Sequence, residues 1–275
     1  MTDKIISKVE DGIGWIIYNN PERRNAVSLA MAEKVAEVIE SHGTNEAVRV
    51  VIIRGEGSKS FVAGQDISEF EELRSTPDGL ERYERITDNM YQGVRNCPKP
   101  VIAMIEGYCM GGGMALACSC DIRICSDNSV FAIPAGRLGI AYRPNFTRWM
   151  VEVVGASTTK EILFTARRYN AVEALQLGLV NRVTSVDDLA GYVLEYAQSI
   201  TENAPLSVRA TKAIVNIVGV SGEVLSTGET AERVQTSVYQ LSEMSDELAG
   251  AVQQFLANIR SGGVTNEDKS VAVAE

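Results

Sequence analysis

The chain has 275 residues, of which 45% are apolar and 23% charged, so its composition is that of a globular protein with a substantial core. Its 36 acidic residues outnumber the 26 Lys and Arg, which gives a formal net charge of −10. This negative charge disfavours nonspecific binding to a nucleic acid or to an anionic membrane surface. A phosphate-bearing ligand therefore needs a local binding site.

Neither a leader sequence nor a membrane span is predicted. The first residues lack a continuous apolar stretch, and the longest apolar tract, Val101 to Cys118, is interrupted by Glu106 and four glycines. The five cysteines are odd in number and contain no Cys-x-x-Cys pair. These features favour buried thiols, no metal site and a reducing, cytoplasmic location.

The first half of the chain alternates strand and helix patterns. Two β-rich runs, 5–9 and 15–18, predict an opening hairpin, and apolar residues at helical spacing after Ser28 predict a helix over 28–41. The further predictions are, in chain order, a strand at 48–54, helical periodicity over 68–96 broken at 75–79, a strand at 101–105, a helix at 114–120, and strands at 122–125 and 130–133. This order indicates an α/β fold in which helices cover the faces of a sheet.

After about residue 183 the pattern is helical only. The predicted helices are 186–203, 206–220, 224–242 and 246–259. We therefore divide the chain into a core at 1–183, a C-terminal helical region at 184–260, and a polar tail at 261–275 that is expected to be flexible.

Three consecutive glycines, Gly111 to Gly113, follow a predicted strand and open a predicted helix. The start of a helix leaves backbone N–H groups without partners, so it can bind a phosphate or a developing oxyanion. The spacing fits neither a P-loop nor G-x-G-x-x-G. Close packing of a helix on a strand explains the run equally well, and the run alone leaves both interpretations open.

A second motif favours the functional interpretation. The segment FVAGQDI at 61–67, together with GYCMGGG at 107–113, resembles the two signature segments of the crotonase (enoyl-CoA hydratase/isomerase) superfamily, F-x-A-G-x-D-[IL] and G-x-x-x-G-G-G. Further matches follow in the family's order: NNP at 19–21, NA at 25–26, CDIR at 120–123, AVEA at 171–174 and GLV at 178–180. The resemblance covers residues 5–260, and the chain is identified as a member of this superfamily.

The resemblance implies a fold and an assembly. The fold is a right-handed, crotonase-type spiral of strand-strand-helix turns, followed by a C-terminal helical region that makes homotrimers, often paired into hexamers. The substrate is an acyl-CoA thioester. Coenzyme A enters as part of that substrate, and no permanently bound cofactor is expected.

The resemblance also implies a site. The backbone N–H groups of Gln65 and Gly112 form an oxyanion hole for the thioester carbonyl and stabilise the enolate that the family's reactions share. The adjacent Gly64 and Gly111 belong to the same substrate-binding loops.

The resemblance also implies roles for three further residues of the coenzyme A site. Ala63 lies on the loop that lines the adenine side of coenzyme A, and Arg24 matches a basic position near its phosphates. A solvated surface charge beside Arg23 is the alternative for Arg24. Asp66 is interpreted as a hydrogen-bond acceptor that stabilises its loop rather than as a base.

Two departures from the family are equally informative. Hydratases carry a glutamate two residues after the third glycine and another after a downstream proline, whereas this chain has Ala115 and Ala135. Adding water to an enoyl double bond requires a base for the water and an acid for the α-carbon. Alanine supplies neither, so ordinary hydratase activity is doubtful.

The stretch after Ala135 suggests a replacement chemistry. Its Leu-Gly-x-x-Tyr pattern is similar to that of methylmalonyl-CoA decarboxylases of the superfamily, which tend to have histidine where this chain has Gln65. We expect Tyr142 in the acyl pocket, helping to hold a substrate carboxylate or carbonyl, with Arg137 or Arg143 supplying charge. In the alternative, Tyr142 only packs its loop and both arginines face solvent or a neighbouring subunit.

The only histidine, His42, ends the first predicted helix and is expected to be exposed, far from both signature segments. Mechanisms that need a Ser-His-Asp or Cys-His arrangement are therefore excluded. The sequence predicts an acyl-CoA enzyme that stabilises an enolate. Its alternatives are a decarboxylase of malonyl-type thioesters and a catalytically inactive CoA-binding homologue, while RNA binding is disfavoured by the acidic charge.

Overall fold

Residues 3–66 and 76–221 are described by the structure, a computed structural model. The chain divides into two compact units, Met1–Pro205 and Leu206–Glu275. The strands are β1 (Ile5–Glu10), β2 (Ile13–Tyr18), β3 (Val50–Gly55), β4 (Ser60–Val62), β5 (Val101–Ile105), β6 (Tyr108–Met110), β7 (Ile122–Ser126), β8 (Val130–Ala132), β9 (Tyr169–Asn170) and β10 (Arg182–Thr184). The helices are α1 (Leu29–Thr44), α2 (Pro77–Asn96), α3 (Gly112–Ser119), α4 (Pro144–Thr165), α5 (Ala171–Gln176), α6 (Val186–Thr201) and α7 (Pro205–Ser221).

The strands of the first unit form two sheets. The larger has the order β1-β2-β3-β5-β7-β10 and the smaller the order β4-β6-β8-β9. All neighbouring strands are parallel except the β1–β2 hairpin and the β8–β9 pair. From β3 to β8, successive strands alternate between the two sheets, and a helix follows each pair. The predicted spiral of strand-strand-helix turns is therefore confirmed.

Helix caps and apolar faces explain how the helices are placed. The Ser28 hydroxyl accepts a hydrogen bond from Met31 N–H and caps α1, while Thr76 caps α2 in the same way. Helices α1, α2 and α3 bury their apolar faces in the main core against the sheets, and the apolar face of α6 covers the opposite side of the larger sheet. Residues that follow β4, β6 and β8 line a cavity together with residues of α2 and α4.

Several residues of the family pattern have structural roles. Asn25 has a left-handed backbone (φ 56°) and is buried. Its side-chain amide donates to the carbonyl oxygens of Glu56 (3.1 Å) and Ser60 (2.7 Å) and so fixes the loop that leads to β4. The Asp121 carboxylate accepts from Val101 N–H at 2.7 Å and ties the end of α3 to β5. These contacts position the loops around the site rather than the chemistry itself.

Some expectations need correction or stay predictions. The strand pattern missed β4 and β6, which have only three residues each. Helices 224–242 and 246–259 and the tail 261–275 lie outside the described residues. The division of the chain at residue 183 and assembly as a homotrimer or hexamer therefore stay predictions.

None of the helices in 3–66 and 76–221 is long and apolar enough to cross a membrane. Within the same ranges no cluster of His, Cys, Asp and Glu side chains is arranged to hold a metal ion. All five cysteines are buried as free thiols, which confirms the expectation that they are small core residues.

His42 is buried, not exposed as its position in the sequence suggested. Helix α1 continues to Thr44, which turns His42 towards the core, and only 4% of the residue is exposed. Its Nε2 lies 3.2 Å from the Trp15 carbonyl oxygen and 3.3 Å from the Ser7 hydroxyl. Burial lowers the pKa of the imidazole below its ordinary value of 6.5.

This burial predicts a pH dependence of stability. At neutral pH His42 is neutral in the folded state. Its contribution to the free energy of unfolding is fully present above the ordinary pKa of about 6.5, and it is lost as the pH falls from that value through the lowered pKa of the folded state. We expect the free energy of unfolding to fall by at most about 1.4 kcal/mol per pH unit from this group. Urea unfolding between neutral and mildly acidic pH measures it. The profile of His42→Gln should be flatter, and an identical profile would contradict the assignment.

Candidate active site

The candidate site is formed at the ends of three neighbouring strands. Strands β4, β6 and β8 are adjacent and parallel, so their C-terminal ends lie at the same edge of the smaller sheet. The residues that follow them are 63–65, 111–112 and 133–135, and all of these line one cavity of about 360 Å³. Both signature segments are thus brought together, as loops that follow strands commonly are in α/β proteins.

The three glycines of the second segment have three different physical reasons. Gly111 has φ 50° and ψ −108°, a conformation that side chains rarely adopt. A Cβ on Gly112 would lie 2.8 Å from the Tyr91 hydroxyl, and a Cβ on Gly113 would lie 2.1 Å from the Val62 carbonyl oxygen. Packing of α3 on β4 therefore requires Gly113, while Gly112 keeps the cavity edge open. The packing interpretation of the run therefore holds at Gly113, and the functional interpretation stays a prediction.

Two backbone N–H groups lie next to each other at this edge. Val27 N–H donates to the Gly64 carbonyl and Asp66 N–H to the Val27 carbonyl, so the N–H of Gln65 points to the other side of its strand. Gly112 is the first residue of α3, and its N–H has no acceptor within the helix. A Cβ on Gly112 would be 3.4 Å from Gln65 N. Among the described residues neither N–H has an acceptor, so both are available to an oxyanion.

Two tyrosines, the buried Tyr91 and the half-buried Tyr142, lie beside these N–H groups. The Tyr91 hydroxyl donates to the Gly112 carbonyl (3.1 Å) and accepts from the side-chain amide of Gln65 (2.8 Å). The Tyr142 hydroxyl donates to the Gly111 carbonyl (3.0 Å). Tyr142 lines the cavity, as expected, but its proton is directed at the backbone rather than into the cavity.

Sequence reasoning missed Tyr91. It lies on the buried face of α2, where an aromatic residue at helical spacing indicates only core packing. Its ring makes an edge contact with Phe146 of α4, with the ring centroids 4.6 Å apart. No pattern in the sequence placed its hydroxyl beside the glycine run.

The walls of the cavity are largely apolar. The aliphatic and phenylalanine side chains that line the cavity outside the signature loops are Ile133, Pro134, Ala135, Leu138, Ile140, Ala141 and Phe146. Of the described residues that line the cavity, only Arg143 carries a charge. This environment suits an acyl chain, and the described lining contains no carboxylate that could act as a general base.

The two alanines have different environments. Ala135 lines the cavity, whereas Ala115 is fully buried in α3 and is not part of the lining. Ala115 N–H donates to the Gly111 carbonyl, the same oxygen that accepts from Tyr142. A side chain at 135 would therefore project towards a ligand, while one at 115 would meet the first turn of α3 near the Tyr142 hydroxyl.

The structure separates the two arginines expected near a substrate carboxylate. Arg137 is exposed and does not line the cavity. Arg143 does line it, but its Nη1 already donates to Asp88 (2.7 Å) and Thr87 (2.9 Å), and its Nη2 lies 3.9 Å from Glu84. The charge of Arg143 is thus largely compensated by α2. Its contact with a substrate carboxylate stays a prediction.

Ala63 and Arg24, the residues expected to contact the rest of coenzyme A, are joined by a backbone hydrogen bond. Ala63 lines the cavity and its N–H donates to the Arg24 carbonyl at 3.1 Å. The exposed Arg24 guanidinium lies 5.6 Å from the ring centroid of Tyr108. The Asp66 carboxylate forms an ion pair with Arg23 at 3.0 Å, an arrangement that stabilises the loop.

Comparison with known proteins agrees with this architecture. The family model for enoyl-CoA hydratase/isomerase matches residues 8–256. A short-chain-enoyl-CoA hydratase of Clostridium acetobutylicum is 35% identical over 214 residues, which are 78% of this chain and 81% of that protein. A hydroxycinnamoyl-CoA hydratase-lyase of Pseudomonas fluorescens is 31% identical and covers 74% of this chain and 75% of its own.

Solved structures give the same result. The crystal structure of an enoyl-CoA hydratase/carnithine racemase from Magnetospirillum magneticum superposes with a TM-score of 0.77 at 32% identity. The match covers 87% of this chain and 94% of the other.

Proposed function

The chain belongs to the enoyl-CoA hydratase/isomerase family, and we propose that it binds an acyl-CoA thioester with the carbonyl oxygen between the N–H groups of Gln65 and Gly112. The observation that carries the proposal is the pairing of these two N–H groups, without described acceptors, at the edge of an apolar cavity. Two aligned donors in a site shielded from water stabilise negative charge on a thioester oxygen. The species that carries this negative charge is an enolate.

The lack of both hydratase glutamates limits the reactions that the enzyme can catalyse. Ala135 leaves the cavity without a carboxylate where a hydratase has one, and Ala115 leaves only a methyl group in α3. Gln65 is neutral, and Asp66 is held by Arg23. We therefore propose that the enzyme forms its enolate by a route that needs no carboxylate base at these positions.

Decarboxylation of a malonyl-type thioester is such a route, and the lack of a carboxylate in the described lining favours it. The bond between the α-carbon and the carboxylate breaks, and CO₂ leaves. The electron pair of that bond forms the enolate, whose oxygen is held by the Gln65 and Gly112 N–H groups. The α-carbon then takes a proton from water. The hole stabilises the charge as it develops, so no residue has to remove a proton first.

A panel of acyl-CoA esters tests this proposal. Acetyl-, crotonyl- and methylmalonyl-CoA are added at saturating concentration, and both the melting temperature and turnover are measured. Binding should raise the melting temperature by mass action, and methylmalonyl-CoA should release CO₂. Binding without turnover of any ester would identify an inactive CoA-binding homologue, whereas no thermal shift with any ester would contradict the thioester site.

Gly112→Ala is predicted to impair turnover strongly. The new Cβ would approach the Tyr91 hydroxyl to 2.8 Å and the Gln65 nitrogen to 3.4 Å, which displaces one or both donors. Loss of one oxyanion-hole donor lowers kcat by about 10²- to 10³-fold. The measurement is kcat with the ester that the wild type consumes best.

Gly191→Ala is the matched control, since a Cβ at this position of α6 meets nothing within 4 Å. It should retain wild-type kcat. Retention of activity by folded Gly112→Ala would remove Gly112 from the proposed site.

A further inference from the structure

The Gly111 carbonyl oxygen accepts three hydrogen bonds. It accepts from Met114 N–H (3.0 Å), from Ala115 N–H (3.2 Å) and from the Tyr142 hydroxyl (3.0 Å). The first two bonds belong to the first turn of α3. The third comes from the segment after β8, which also lines the cavity.

This carbonyl belongs to the same peptide group as Gly112 N–H. A trans peptide is planar, so its C=O and N–H point in opposite directions. Fixing the carbonyl oxygen of Gly111 therefore fixes the direction of the Gly112 N–H. Donors on the oxygen also polarise the peptide and strengthen its N–H as a donor.

Tyr91 acts on the next peptide group. Its hydroxyl donates to the Gly112 carbonyl and accepts from the Gln65 side chain, so one oxygen links the two signature loops. Both tyrosine hydroxyls are protonated at neutral pH, since the ordinary pKa of a phenol is about 10 and burial raises the pKa of each further. The backbone of Gly112 is consequently held on both sides by side chains from outside its own loop.

We propose that Tyr91 and Tyr142 are positioning residues of the oxyanion hole: Tyr142 aims and polarises the Gly112 N–H, and Tyr91 holds Gly112 against Gln65. This inference rests on the proposed function. It gives Tyr142 a different role from the binding of a substrate carboxylate, because its only proton is used by the Gly111 carbonyl. The positioning role also gives a reason for the presence of Tyr142 beside the buried Ala115. There the Tyr142 hydroxyl lies against the first turn of α3.

The test measures the polarisation of a bound thioester directly. Butyryl-CoA labelled with ¹³C at the thioester carbonyl is added at saturating concentration to the wild type, Tyr142→Phe and Tyr91→Phe. Isotope-edited infrared spectroscopy gives the carbonyl stretching frequency in each complex. The matched control is Tyr169→Phe, which removes a buried hydroxyl whose hydrogen bond is to Glu161, outside the site.

We expect the wild type to lower the carbonyl frequency relative to free butyryl-CoA, and each of the two site variants to lose much of that shift. Tyr169→Phe should keep it. With the ester that the wild type turns over, kcat should fall about 10- to 100-fold in the site variants with KM little changed, as for a misaligned catalytic donor.

The outcomes separate this inference from the proposed function. No binding or no frequency shift in the wild type would contradict the oxyanion hole itself. A wild-type shift that both folded site variants retain would overturn the positioning role. A raised KM for malonyl-type esters alone, with the shift retained, would instead return Tyr142 to substrate binding.

Discussion

Crotonyl-CoA should be hydrated by this protein at least about 10⁴-fold more slowly than by a hydratase with both glutamates, because each acid or base contributes about 10²- to 10⁴-fold. Ala135 stands at the cavity wall and Ala115 beneath it, and neither can move a proton. The measurement is the loss of the enoyl-thioester absorbance. The short-chain-enoyl-CoA hydratase of Clostridium acetobutylicum is the positive control. A wild-type rate comparable with that enzyme would show that the two positions do not decide hydration.

The two alanines should differ when glutamate is restored. Ala135→Glu places a carboxylate on the cavity wall and should fold normally. Ala115→Glu places one at a fully buried position near the Tyr142 hydroxyl, where an unpaired charge is costly. We expect the double variant Ala115→Glu/Ala135→Glu to gain little hydration, because Tyr142 crowds the carboxylate at 115. A large gain would contradict that crowding.

Gly113→Ala is expected to lower the free energy of unfolding by about 3 kcal/mol or more. Overpacking is strongly unfavourable when the crowded atoms belong to the backbone, which cannot move aside as a side chain can. The new Cβ would lie 2.1 Å from the Val62 carbonyl oxygen and 3.0 Å from its carbonyl carbon. Both belong to backbone, so relief would require α3 and β4 to move apart. Urea unfolding measures the change in the free energy of unfolding.

Gly191→Ala again provides the control. With nothing within 4 Å of the new Cβ, an alanine in this helix should leave stability unchanged or raise it by about 0.5–1 kcal/mol. If the effect of Gly113→Ala were as small as that of the control, close packing of α3 on β4 would not be the reason for the third glycine.

The fold was predictable where the chain repeats a pattern over several residues. The opening hairpin, α1 and β5 were found because apolar periodicity extends over five residues or more in each. Strands β4 and β6 have three residues each, too few to show alternation, and they were missed although they carry the signature loops. Their strand conformation comes from pairing with each other, which a local pattern does not contain.

The site was predictable to a similar degree. Gln65 and Gly112 were identified through motifs, and their loops do lie together. Tyr91 was missed and His42 was placed on the surface, for a common reason. A side chain on a helix is exposed, buried or part of a site according to what packs on that face, and one further turn of α1 was enough to bury His42.

Because successive strands alternate between the two sheets, different turns of the spiral supply different parts of the candidate site. The Gln65 donor follows β4 in one turn of the spiral, the Gly112 donor and position 115 follow β6 in the next, and position 135 follows β8 in the third. A substitution at position 135 therefore leaves the N–H groups of Gln65 and Gly112 in place. Position 135 is supplied by a different turn from the two N–H groups, so we expect that a proton-transferring group there can be changed or lost while the proposed thioester site is retained.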